Sequence, residues 1–328
     1  MKTMTRRWGA IAAASALARG LAACAPTAEE PTDDGAATEW PEEIVLGLVP
    51  SQEVDQLVLD AEVLGDLLSE ELGITVRAEV TDSYNALVVA MQSGQAAIGM
   101  FGPIALVQAA DQAGAEPILQ SVRFGSSTYV TQWFTNDPDR FCETEVVLDE
   151  DGFAFCNGVL DAESGPVGES ALALIEQDEA ISFVDEGSAS GYYYPATQLE
   201  EAGLDPFALS GSFFAGGHPN SVLSVARGDA TVGVSFNDAR GNVVEELPTV
   251  GEDVVVFAWS TAIPNDGVAV AGDLPQDLKD AITEAFLAIA DSEEGLAALD
   301  AVYSIEGLVP ADLDALDAAR QVEANFGE

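Results

Sequence analysis

The stretch from Ile44 to Arg123 constrains the fold more than any other feature, because it switches repeatedly between the period of a strand and the period of a helix. Ile44–Val49 is a short apolar run suited to a buried strand. Val54, Leu57, Val58, Ala61, Leu64, Leu67, Leu68 and Leu72 then recur with helical spacing and share one face. A strand over Ile74–Val80, a helix over Tyr84–Gln92, a strand over Ala97–Phe101, a helix over Pro103–Ala113 and a strand over Pro117–Arg123 complete a βαβαβαβ run. Its short connections make the helices cross back over the strands, which predicts a mostly parallel sheet wrapped by helices.

The remainder repeats the theme more loosely. Helices are expected near 168–177, 191–202 and 220–228, strands over Val254–Trp259 and Val268–Ala271, and helices over Pro275–Ala290 and Glu293–Val302. The fold class is therefore α/β, with two α/β lobes joined by two hinge crossovers. Loops at the strand ends of such lobes converge on a shared cleft, where a ligand binds. The crossovers are expected near Thr135–Asp137 and Asp238–Gly241. Residues 42–135 then begin lobe 1, 136–238 form lobe 2, and 239–328 return to lobe 1 and add C-terminal helices.

The 328 residues, 48% of them hydrophobic, suffice for two proper cores. Against 57 Asp and Glu stand 11 Lys and Arg, a formal net charge of −46. That field repels nucleic acid and anionic membrane surfaces, so neither is a partner. Lys2, Arg6, Arg7 and Arg19 all fall in the first 23 residues, around an Ala-rich apolar run that ends in Leu21-Ala22-Ala23-Cys24. This is the layout of an export signal, and Arg6-Arg7 leaves twin-arginine export open beside the general route. The run is too short, and too interrupted by Arg19, to span a bilayer. Residues 24–41 lack apolar periodicity and read as a flexible tether. With Cys24 set aside, Cys142 and Cys156 remain as a pair. Export favours a disulfide, closing a loop of about 15 residues and contributing roughly 3 kcal/mol; a metal pair is the alternative, though no histidine lies near.

Gly187-Ser188-Ala189-Ser190-Gly191 reads as an anion cradle. Glycine-flanked hydroxyls opening a helix offer free backbone N–H groups, the positive end of the helix dipole and two O–H donors. His218, the single histidine, follows 30 residues after Ser188. In so acidic a chain an anion must be held by local, well-aimed donors.

Taken with Thr81-Asp82-Ser83-Tyr84, Met91, Ile98–Pro103, Gly216-Gly217-His218 and Ile263-Pro264-Asn265-Asp266, this segment resembles the phosphonate/phosphite/phosphate-binding proteins of ABC importers, over about residues 44 to 310. The resemblance implies the type II periplasmic-binding-protein fold, which closes on its ligand by hinge motion. It implies that hydroxyls and amides at Ser188 and Ser190 hold the phosphorus oxygens, with Ala189 replacing a hydroxyl often found between them, and that His218 reaches the same oxygens. Asp238 stands where aminophosphonate binders pair the substrate's amine; a helix N-cap, or an acceptor for a protonated oxygen, are its alternatives. Tyr84 and Phe101 match aromatic positions facing the ligand, and Tyr129 is a third candidate, each with edge packing as the plain alternative. Arg123 and Arg240 stay open as anion clamps. Leu21–Cys24 resembles a bacterial lipobox, which makes Cys24 the lipidated residue.

The expected function is a monomeric, lipid-anchored solute-binding component on the outer face of a bacterial membrane. It captures phosphonate, phosphite or phosphate for an ABC permease and ATPase, uses no cofactor, and makes or breaks no bond. A sensor domain for the same anions is one alternative. A hydrolase built on Ser188 or Ser190, His218 and Asp238 is another, but the nucleophile-elbow pattern fails because Ala189 takes the serine's place. The sequence leaves open which oxyanion is carried.

Overall fold

Residues 40–326 are described by the computed structural model. The export signal over 1–23, lipidation at Cys24 and the tether up to residue 39 lie outside the described residues. The chain runs through β1 (Glu43–Leu48), α1 (Val54–Leu72), β2 (Thr75–Val80), α2 (Tyr84–Gln92), β3 (Ile98–Phe101), α3 (Pro103–Ala113) and β4 (Glu116–Val122), within a residue or so of expectation. Gly73 and Gly114 end α1 and α3 with left-handed φ of 69° and 65°, a conformation that a side chain resists.

A short strand β5 (Thr128–Tyr129) leads into a second sheet formed by β6 (Thr131–Thr135), then, after the short helix α4 (Pro138–Phe141), by β7 (Val147–Leu148), β8 (Ala154–Phe155) and β9 (Ile181–Phe183). Helix α5 (Tyr194–Glu201), β10 (Phe213–Phe214), α6 (His218–Ala226), β11 (Val232–Phe236), α7 (Val250–Asp253) and β12 (Val255–Trp259) complete this lobe. The chain returns through β13 (Ile263–Pro264) to β14 (Gly267–Val270), α8 (Gln276–Ala290), α9 (Glu293–Tyr303), β15 (Gly307–Pro310) and α10 (Leu313–Ala324). The last two elements carry no strong pattern in the sequence and were not expected.

The first sheet has the order β15-β4-β14-β3-β1-β2, and the second β10-β9-β11-β6-β12-β8-β7. Strands β1, β2 and β3 pair in parallel, as the βα alternation requires. Between β3 and β4, however, lies β14, antiparallel to both. Its Gly-Val-Ala-Val is fully buried, and small residues suit a strand covered on both faces. The helix expected over 168–177 is only a 3₁₀ turn at Glu169–Leu174.

Sheet membership corrects the expected crossovers. Strand β6 already belongs to the second sheet and β12 still does, so the chain passes between sheets at 123–130 and again at 260–266. Asn136-Asp137-Pro138 is a turn inside lobe 2, and Asp238–Gly241 opens a 3₁₀ turn there. The crossovers pair with each other as β5 and β13, Tyr129 facing Ile263 and Thr128 facing Pro264. Asn265 ties them further, its Nδ2 donating to the carbonyls of Ser121 and Ser126 and its backbone N–H to that of Ser127. Each lobe has its own apolar core, around Leu46, Leu64, Ile98 and Phe286 in the first and around Trp133, Phe141, Phe183 and Phe257 in the second. Cys142 and Cys156 form a disulfide. Among the described residues no helix is long and apolar enough to cross a membrane.

Candidate functional site

The hydroxyl run opens its helix with one wide turn. Ala189–Tyr193 is a π turn, closed by Tyr193 N–H donating to the Ser188 carbonyl at 3.1 Å, and it continues directly into α5. Ser188 caps this turn, its Oγ accepting from Gly191 N–H at 3.1 Å, which leaves its own hydrogen to donate elsewhere. Both flanking glycines are required by close approach. A Cβ at Gly191 would lie 2.3 Å from that of Val184, and one at Gly187 would lie 2.6 Å from the Cβ of Tyr84 in the opposite lobe.

Tyr84 is the first residue of α2, which Ser83 caps by accepting from Ala86 N–H at 3.1 Å. His218 is likewise the first residue of α6, and its backbone N–H reaches across to the Ser51 carbonyl at 3.1 Å. Asn242 Nδ2 also donates across the lobes, to Gln52 Oε1 at 2.7 Å. Lobe 1, lobe 2 and the crossovers together enclose a cavity of about 20 Å³ between the tips of these helices. Tyr84, Tyr129, Ser188, Ala189, Ser190 and His218 line it, with Val49, Ser51, Gln52, Gly102, Arg123, Phe236, Asp266 and Tyr303.

Two of the expected residues are elsewhere. Phe101 is fully buried in the lobe 1 core, because it shares a face of β3 with Gly99 and its ring lies over the space that glycine leaves. Asp238 caps its 3₁₀ turn through Arg240 N–H at 3.0 Å and grips the Arg240 guanidinium, with Nη2 to Oδ2 at 2.6 Å. Arg240 also donates Nη1 to the carbonyls of Ala154 and Val254 and is fully buried, so this pair is a structural unit away from the cavity. Conversely, nothing in the sequence marks Ser51, Phe236 or Tyr303, and Asp266 stands out there only as the end of the Ile263-Pro264-Asn265-Asp266 motif. Ser51, Asp266 and Tyr303 come from three distant segments, and only the fold brings them to one wall.

Burial sets the protonation of this wall. His218 is pressed down to about 3 by burial and, secondarily, by the Arg123 charge, so it is neutral at ordinary pH. Its Nδ1 is 2.8 Å from Ser235 Oγ, which leaves Nε2 for the cavity. Burial raises the Asp266 carboxyl, opposed by the Arg123 guanidinium whose Nη1 lies 3.6 Å from Oδ2. Burial likewise raises the phenols of Tyr84, Tyr129 and Tyr303, so all three remain O–H groups.

A cavity rich in hydrogen-bonding groups, walled by two α/β lobes and a paired double crossover, defines a solute-binding protein of the type II periplasmic class. The family model of the periplasmic substrate-binding proteins of phosphonate ABC transporters matches residues 46–316. The chain belongs to this family. The phosphate-import protein PhnD of Mycolicibacterium smegmatis is 25% identical over 273 residues, 80% of this chain and 76% of that protein. PhnD1 of Prochlorococcus marinus, solved with methylphosphonate, shares the fold at TM-score 0.70 and 17% identity, over 87% of this chain and 98% of that one. A phosphonate-transporter binding protein of Pseudomonas aeruginosa does so at 0.69 and 19%, over 86% and 85%. The protein is thus the extracytoplasmic substrate-binding component of an ABC importer of the phosphonate family.

Proposed function

We propose that the cargo is inorganic phosphate, held in the cavity by Ser188, Ser190, His218, Tyr84 and Tyr129. The observation that carries this reading is the cavity itself. Ten of its fourteen lining residues present a polar side chain. An ion with an oxygen at each corner meets polar partners around this wall, whereas Asp238, the acid that the resemblance assigns to a substrate's amine, is engaged by Arg240. The hydroxyls of Ser188 and Ser190 donate to the oxygens. With Ser235 donating to Nδ1, His218 donates through Nε2 while carrying no charge. Asp266 suits either kind of oxygen, donating when protonated and accepting from P–OH when ionised. The import function of the mycobacterial relative supports the same cargo.

Calorimetric titration of the exported protein tests this. Phosphate should bind at micromolar levels or tighter, phosphite and methylphosphonate more weakly, and aminoethylphosphonate weakest of all, by about tenfold or more. Tight aminoethylphosphonate binding with weak phosphate binding would overturn it. We further propose that a lipid on Cys24 and the tether beyond it hold the binding lobes at the membrane's outer face, and that the lobes work as a monomer beside their permease and ATPase.

A further inference from the structure

Among the described residues two arginines are buried, in lobe 2 and at its border, and they differ in one respect. Arg240, with no exposure, has its donors met by Asp238 and by backbone carbonyls. Arg123, only 6% exposed, has no such company. Its Nε is buried without a hydrogen-bond partner, and its Nη1 approaches Asp266 Oδ2 only to 3.6 Å, beyond hydrogen-bond range. A guanidinium carries five donors, and burying them unmet is costly. Its plane is held 4.8 Å from the centre of the Phe236 ring, which fixes the group at the cavity wall. Among the residues lining the cavity it is the one fixed cation, His218 being neutral.

We infer that Arg123 is an anion-binding residue of this protein, its unmet donors reserved for the oxyanion and its charge setting the preference for a charged ligand. The inference rests on the anion-binding reading above. Arg123 follows β4 at the start of the first crossover, and Asp266 closes the second, so the anion is gripped at the hinge as well as by the lobe tips. Arg123 also borders a neighbouring cavity of about 240 Å³, where solvent is the competing partner for its donors.

The test is Arg123→Met, which keeps the bulk and removes both charge and donors, with Arg123→Lys beside it. Inorganic phosphate is titrated into each full-length exported protein, and each is melted without ligand. Because the guanidinium is unsatisfied in the ligand-free fold, R123M should melt no lower than the natural protein while phosphate affinity falls about tenfold or more. R123K should lie between, retaining charge and losing the fork. A loss smaller than about tenfold in R123M would overturn the inference and assign the donors to solvent in the neighbouring cavity. Should R123M not fold, Arg123→Gln takes its place under the same criterion. Failure of the natural protein to bind phosphate would count against the proposed cargo instead, and is read before any variant.

Discussion

A buried imidazole that must stay neutral ties this protein's stability to pH. His218 titrates near 3 in the folded chain and near 6.5 when unfolded. Above 6.5 both states are neutral and nothing is lost; as pH falls from 6.5 toward 3 the unfolded chain takes up a proton that the folded one refuses, so folding loses stability. The slope is at most about 1.4 kcal/mol per pH unit from this one group. In His218→Gln, stability measured by denaturant unfolding should fall less steeply between pH 6.5 and 4 than in the natural protein, and phosphate affinity should drop about tenfold. Parallel pH curves with unchanged affinity would remove His218 from the site. The sequence made His218 visible through its isolation and its glycine-flanked setting. It could not rank Asp238 against Asp266, or Arg240 against Arg123, because each pair differs only in which neighbours the fold supplies.

At the scale of elements, the hydroxyl-bearing turn and α2 approach so closely that the glycine between them has no substitute. A Cβ at Gly187 would meet that of Tyr84 at 2.6 Å, too near for either backbone to keep its place. Gly187→Ala should hold the lobes slightly apart. Solution scattering is expected to show phosphate-induced compaction in the natural protein and little in the variant, with phosphate affinity reduced by about tenfold or more. Compaction and affinity like those of the natural protein would mean that the turn yields instead. Lobe 1 was largely legible because its strands and helices are apolar and alternate cleanly. Lobe 2 was not: β6 is Thr-Gln-Trp-Phe-Thr, fully buried despite three polar residues, and β11 contains Gly233, whose missing side chain makes room for the Phe134 ring. Strands made of such residues are recognised by their partners across the sheet, which a one-dimensional pattern does not contain. That is why the expected crossovers fell on turns near the ends of β6 and β11.

For the whole molecule, the net charge of −46 means that an anion must be held by local polar groups against the chain's own field. The proposed lipid anchor is tested by Cys24→Ser, which should move the protein from the membrane fraction to the soluble one; retention on membranes would count against it. What the sequence by itself determined was the α/β class, the two-lobed plan, the cysteine pair and the singling out of Ser188, Ser190 and His218, which line the candidate site, because periodicity, glycine-bounded turns and short motifs are local properties of the chain. What only the tertiary structure decided was the strand order, the true crossovers, the sequestering of Phe101 and Asp238, and the arrival of Arg123, Asp266 and Tyr303 at one wall. Those outcomes depend on which buried polar groups find partners, and partners are assigned by packing between segments far apart in the chain.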